Sequence, residues 1–462
     1  MKPSVPALVS AAIRFGIFAL APLALSACTA YQPQLLDPSA TAADFSRRRL
    51  DDTALRQPLI DVGSREARRA WPMGSWSLRD LQTVALCYHP EIAVAKAKAV
   101  SATAAITTAD TAPNPVLNFA PEYGVNPGSG VSPWVLGFSP DITIETAGKR
   151  HERTTQAQHQ ANSAALAIAD KSWQVISAVR SALADLEVAK RRLSVFEEQQ
   201  RNDDELVAAL TARVSAGESP HSELAVYQSQ RGRNAIDLAD ARSRVEAAQA
   251  KLADAMGMPA AALRGVVLGW ASFEKLPPLP SEAKLRKSAV LQRSDLLAGL
   301  EDYAAADAAL RLEIAKQYPD IHLNPGYTFD QGQSKWALGV GLTLPVDRNL
   351  GPIREATAKR DEAAAVFQRL QIGASGELSQ ALAAYRADLA RLKEVEGLLA
   401  IQEKEVENAT ELSHGGEGSR SAVLEAKGTA IQAKLAIVDA TAQARQSLGQ
   451  LQDSAHLSIE SP

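Results

Sequence analysis

The sequence predicts a mainly α-helical protein with a small membrane β-barrel portion, built from one helix, β-hairpin and long-helix unit used twice. Three observations carry that prediction. The second half repeats the first at an offset of about 204 residues. Two Ala-rich segments keep a narrow apolar seam over a length no ordinary globular helix reaches. Four segments of strand length alternate apolar and polar residues between Gly, Pro, Ser and Asp turns.

The repeat is read from two matched stretches. Pro115, Leu117, Phe119, Pro121 and Tyr123 correspond to Pro319, Ile321, Leu323, Pro325 and Tyr327, and Trp134-x-Leu136-Gly137-Phe138 corresponds to Trp336-x-Leu338-Gly339-Val340. Order, spacing and residue class recur together, which one chance pentad would not achieve. The first repeat spans 77–257: a helix over about 77 to 110, a hairpin over 116–144, a long helix over 152–214 and a return helix over 221–257. A Pro-rich connector follows at 258–281. The second repeat, 282–452, has a helix to about 316, a hairpin over 321–344, a long helix over 353–413 and a return helix over 421–452, and leaves a tail at 453–462.

The long helices would reach roughly 90 Å at 1.5 Å per residue. On the first, Ile176, Val179, Leu183, Leu186 and Leu193 form the seam; on the second, Leu382, Tyr385, Leu389, Leu392, Leu399 and Val406 do. This is the a/d spacing of a coiled coil, broken at Lys190 and Glu396. Alanine on the flanks lets neighbouring helices approach on further sides, which suits a curved wall of helices. Each long helix stops at a reversal, 215–220 or 414–419, rich in Gly, Ser and Pro.

Composition narrows the function. With 46% hydrophobic residues in 462, the chain can fill a large core. The formal charge of -4 and the lack of a basic block interleaved with aromatics exclude a nucleic-acid footprint. Met1-Lys2, Arg14, an apolar run over 15–25 and Leu25-Ser26-Ala27-Cys28 read as a bacterial export signal ending in a lipobox-like motif. Residues 1–27 are then a lipoprotein signal peptide and Cys28 the lipidated N-terminus; an ordinary secretory signal with an incidental cysteine is the alternative. Cys87 is the one other cysteine, so the mature chain has no intramolecular disulfide, and Cys87 is expected to pack within a helix. Residues 28–76 lack periodicity and are expected to form an extended strap leading from the lipid anchor.

Beyond Cys28 no apolar run approaches the roughly 20 residues of a membrane-spanning helix, so a crossing has to use strands. The alternation Leu136, Phe138, Pro140, Ile142, Ile144 gives one apolar face, and Trp134 and Trp336 suit a membrane interface. Four strands cannot close a barrel and open edges are not tolerated in hydrocarbon, so several chains would share one barrel.

With these elements in place, residues 77–452 resemble the TolC-like outer-membrane efflux protein family, the outer-membrane factors of tripartite pumps. The duplicated order of elements, the lipobox and the Gly-centred reversals carry the resemblance. It implies a homotrimer whose twelve strands form one barrel in outer-membrane lipid and whose helices form a periplasmic tunnel. It also implies a passive duct without cofactors, served by a periplasmic adaptor protein and an inner-membrane, proton-driven efflux pump. Gly217, Glu218, Ser219, Gly416, Glu417 and Gly418 would be the adaptor-docking tips, although turn chemistry alone also accounts for them.

In the family, two acids three apart after the second reversal ring the periplasmic entrance. The matching positions here are Ala422 and Glu425, so one acid is missing. Glu425, with Glu223 after the first reversal, are the gate candidates, against the alternative of a solvated helix face. The stretch Ile144-Glu145-Thr146-Ala147-Gly148-Lys149-Arg150 looks like the strand-to-helix junction of the cobalt-zinc-cadmium branch, which favours heavy-metal cargo. A basic pair anchoring a strand end beside lipid headgroups is the equal alternative for Gly148, Lys149 and Arg150.

No phosphate-binding loop, nucleophile elbow or His-Glu-x-x-His motif occurs, so no catalytic residue is assigned. The seven histidines, at 89, 151, 159, 221, 322, 414 and 456, show no ligand-like spacing, and no resident metal is assigned. A periplasm-spanning coiled-coil lipoprotein without a pore is the rival reading.

Overall fold

The computed structural model describes residues 29–459 apart from 127, 274 and 331, so Cys28 and the signal segment lie outside the described residues. The chain divides into two compact units between residues 47 and 48. The first contains helix α1, Pro38–Arg47, whose start is fixed by Asp37: its carboxylate accepts from the Ser39 and Ala40 amides.

The second unit begins with a short 3-10 turn, Thr53–Leu55, and helices α2 (Arg56–Asp61) and α3 (Arg65–Arg69). The strap expected as extended is thus partly helical. Its apolar residues Leu50, Leu55, Leu59, Met73 and Trp76 are buried in the largest core cluster, which an extended ribbon on the surface would not achieve.

Helices α4 (Leu78–Tyr88) and α5 (Pro90–Asp110) replace the single helix expected over 77 to 110. The break has a local cause. Pro90 takes the first position of α5, and the residue before a proline is driven out of the helical region; His89 has φ -69°, ψ 126°. A capping box between Ser77 and Asp80 starts α4. Cys87 lies in α4 as expected of a helix residue, but on its exposed side rather than packed.

The first hairpin is β1 (Val116–Tyr123) and β2 (Trp134–Ile144), after which α6 runs 67 residues, Lys149–Ser215, or about 100 Å, and α7 (His221–Ala255) returns. The connector forms two 3-10 turns that add Leu263 and Phe273 to the largest core. In the second half α8 (Glu282–Leu291) and α9 (Ser294–Ala315) again replace one expected helix. Here the break falls at Arg293, whose buried guanidinium donates to Asp295, to the more exposed Glu377 and to the Ser454 carbonyl. Strands β3 (Ile321–Asp330) and β4 (Gln333–Leu342), the 65-residue α10 (Leu350–His414) and α11 (Arg420–Ala455) complete the unit. Leu457 and Ile459, in the expected tail, pack back on Leu285 and Leu451.

The two repeats bury matching seams. Val179, Leu183 and Leu186 of α6 have no exposed surface, and Leu378, Leu382 and Tyr385 of α10 fill the second core, each such side chain contributing roughly 2 kcal/mol. Lys190, which interrupts the first seam, lays its ammonium over the Trp270 ring at 5.1 Å. A third core near the reversals joins Leu206 and Leu210 to Leu224 and Leu424. Between it and the largest core lies a buried polar layer: Asp203 accepts from Gln199 and Asn234, and Asn202 donates to the Leu424 carbonyl.

Candidate functional site

Three places carry the residues that the sequence singles out: the sheet, the strand-to-helix junction and the reversals. The sheet is antiparallel in the order β1-β2-β3-β4, so both β1 and β4 present open edges. Cross-strand partners such as Phe119 with Phe138, Leu136 with Phe329 and Pro325 with Leu338 put all the aromatic residues and every other large apolar residue of the strands except Val116 and Val135 on one face. That face is bare: Phe119, Phe138, Leu338 and Trp336 are exposed, Trp336 at 83%. Tyr123 packs on Trp134 and Tyr327 on Trp336 at the hairpin ends, ring centroids 4.9 and 5.0 Å apart. The opposite face carries Asn118, Ser139, Asp141, Thr143, His322, Asn324 and several glycines. Among the described residues no helix is long and apolar enough to cross a membrane.

At the junction the chain must turn from β2 into α6, and Ala147 and Gly148 do so with φ 55° and 72°. Lys149 then points inward. Its ammonium donates to Asp320 Oδ1 and to the Tyr318 carbonyl, both at 2.7 Å, while the Thr146 amide donates to the same carboxylate at 3.0 Å. Glu145, nearly buried, accepts from Arg150 and Arg153, and Arg153 reaches on to the carbonyls of Ala109 and Thr111. The Glu-Thr-Ala-Gly-Lys-Arg stretch is thus a clamp that ties the end of the first hairpin to the start of the second. Lys149 is held by protein rather than by anything outside it; Arg150 remains half-exposed beside Glu145.

Burial alone would raise the Asp320 pKa, but the hydrogen bonds from Lys149 and the Thr146 amide outweigh it and hold the carboxyl below its ordinary value. Folding therefore gains stability from Asp320 that is full above the ordinary value near pH 4 and is lost as pH falls through the lower folded value. Asp320→Asn should cost about 2–3 kcal/mol, because it strands a buried ammonium, and should flatten the acid limb of the stability profile. Urea midpoints measured between pH 3 and 7 check both.

At the first reversal Gly217 takes φ 79° and the Glu218 amide returns to the Arg213 carbonyl. Ser219 and Pro220 lead into α7. The second reversal repeats this at Gly416, φ 79°, with Glu417 and Gly418 both donating to the Leu412 carbonyl; a Cβ on Gly418 would come within 3.2 Å of Leu412. Glu425 and Glu223 are brought to one residue that the sequence did not flag, Tyr227. Its hydroxyl donates to Glu425 Oε1 at 2.9 Å. Burial, the bond to Glu425 and the nearby Glu223 charge all push the Tyr227 phenol above its usual value, so it stays protonated and able to donate. A contact spanning 198 positions leaves no local signal; the i, i+4 spacing of Glu223 and Tyr227 was the one hint.

Together these features define a fold of duplicated long helices joined to a four-stranded hairpin sheet with one bare apolar face. Residues 81–258, which include most of the first repeat and the first reversal, match the family model for outer membrane efflux protein, the family that the sequence resembles. No curated protein sequence matches the chain. Among solved structures, VceC of Vibrio cholerae aligns with a TM-score of 0.67 at 19% identity, over 83% of this chain and 97% of that one. The open state of the MtrE outer membrane channel of Neisseria gonorrhoeae gives 0.67 at 16%, over 83% and 89%. The outer-membrane channel OprN gives 0.69 at 16%, over 94% and 99%.

Proposed function

We propose that this protein is the outer-membrane channel of a tripartite efflux system, a homotrimer that conducts substrate passively. One observation carries the reading: a four-stranded sheet with a bare apolar face and two open edges. Such a sheet is unsatisfied in water and in lipid, and the edges are paired only if copies join into a closed barrel. Three copies give twelve strands, within the range of membrane barrels. The long helices would then extend into the periplasm, where the reversal tips Gly217 to Ser219 and Gly416 to Gly418 meet an adaptor protein, and energy comes from an inner-membrane, proton-driven pump. Lipidation at Cys28 would anchor the chain in the same membrane.

The test is the mass of the protein part of the detergent-extracted particle, measured by light scattering. Three chains in the outer-membrane fraction are expected. A water-soluble monomer or dimer after Cys28→Ala would leave the coiled-coil scaffold instead.

Heavy-metal cations are the cargo we favour, on the sequence of the junction and on the carboxylates near the reversals. A deletion strain should then lose tolerance to cobalt, zinc or cadmium, and unchanged tolerance would remove that cargo. Tyr227 and Glu425 make the gate. Tyr227→Phe removes a hydrogen bond to a carboxylate at an exposed site, worth roughly 1 kcal/mol, and should raise the open fraction about fivefold in planar-bilayer recordings. Glu425→Gln keeps an oxygen that accepts from the Tyr227 hydroxyl, so it should open the channel less than Tyr227→Phe does while weakening its preference for cations.

A further inference from the structure

The polar face of the sheet carries a cluster that the clamp and the gate do not use. At the helix-side end of β2 and β3, Thr143 pairs directly with His322. Side chains two apart share a face, so Asp141 and Asn324 join them. On β4 the partners of His322 and Asn324 are Gly341 and Gly339. A Cβ at Gly341 would come within 3.4 Å of the His322 Cβ, and one at Gly339 within 3.2 Å of the Asn324 Cβ, so a larger residue at either position would crowd the base of these side chains.

His322 Nδ1 lies 3.2 Å from Asp141 Oδ1 and 3.3 Å from Thr143 Oγ1. A charge-assisted hydrogen bond between imidazolium and carboxylate settles nearer 2.7–2.9 Å. Another such pair in this protein, His159 with Glu301, does so at 2.7 Å. These contacts are hydrogen bonds in the free protein, and the same separation of about 3.3 Å equals the edge of a tetrahedron whose centre lies about 2.0 Å from each donor, the bond length of zinc to imidazole nitrogen or carboxylate oxygen.

We propose that His322 and Asp141, with Thr143 beside them, form a weak site for a divalent transition-metal cation of the zinc and cobalt class. An imidazole with a carboxylate selects this class over magnesium and calcium, which take oxygen ligands. Among the described residues no three of His, Cys, Asp and Glu converge, so the site is open and its ion keeps water on the remaining positions. Such an ion exchanges readily, as a conducting path requires. The inward placement of this face rests on the barrel reading above; the binding itself does not.

Zinc titration calorimetry on the full chain in detergent tests the site. One weak site per chain is expected, its affinity falling by at least about tenfold in His322→Asn and in Asp141→Asn, the loss that even outer-shell changes bring at such sites. His159→Gln should bind as the native protein does. Equal zinc binding by native protein and all three variants would overturn the proposal. If a variant fails to assemble, the native protein supplies the readout: zinc should protect His322 from diethyl pyrocarbonate, followed by peptide mass mapping, and unprotected labelling overturns the site. A deletion strain with unchanged metal tolerance would count against metal cargo and leave this site standing, whereas lost protection would do the reverse.

Discussion

Replacing Arg445 by methionine should destabilise the protein by about 3 kcal/mol, the largest effect expected from a single change outside the sheet. Arg445 of α11 donates to the Glu187 carboxylate of α6 and to the Phe273 carbonyl of the connector, and its guanidinium stands 5.4 Å from the Phe273 ring. Burial outweighs the pull of Glu187 and lowers the pKa of the guanidinium, which nonetheless stays far above neutrality. Removing it strands Glu187, 4% exposed, with Arg191 as its remaining ionic partner. Because the penalty comes from a buried carboxylate left with one cationic partner in place of two, the double variant Arg445→Met with Glu187→Leu should recover most of the stability. Guanidinium midpoints for the four members of that cycle measure it; a double variant as unstable as the single one would place the cost in packing on Phe273.

The second large effect separates the two faces of the sheet. Leu338→Arg sets a charge in the middle of β4 on the bare face, and at the midplane of a membrane this costs about 2–4 kcal/mol. Assembled trimer in the outer-membrane fraction should fall to a small residue. Asn118→Arg, on β1 and on the opposite face, faces water in a barrel and should assemble normally. The comparison is internal, since both variants add the same side chain to the same sheet. Equal tolerance would mean that the face never meets lipid.

Much of this architecture is legible in the sequence because it rests on local periodicity. The 3-4 spacing of Val179, Leu183 and Leu186 and the alternation Leu136, Phe138, Ile142 are set by the geometry of one element, and the structure buries or aligns those residues accordingly. What escaped is long-range. Lys149 finds Asp320, Tyr227 finds Glu425 and Arg445 finds Glu187 across intervals that no spacing rule spans. Residues 50–76 were missed for a related reason: short helices that bury one or two side chains each have too few turns to establish a period. The Gly-Lys-Arg motif was visible but its meaning was not, since a lysine facing Asp320 and a lysine facing headgroups have the same letters around them.

The end of α9 and the short segment after it hold both strand-to-helix turns, for Glu313 accepts from Asn349 as Asp320 does from Lys149. The two hairpins are therefore yoked through one segment, and neither can tilt without straining the other. The yoke is unequal. One arm is an ion pair that protonation abolishes; the other is an amide on a carboxyl group, a bond that survives protonation because the carbonyl oxygen still accepts. In a ring of three duplicated chains the six turns at the base of the barrel would alternate between these two kinds. Acid would then slacken every second turn, converting a near-sixfold collar into a plainly threefold one.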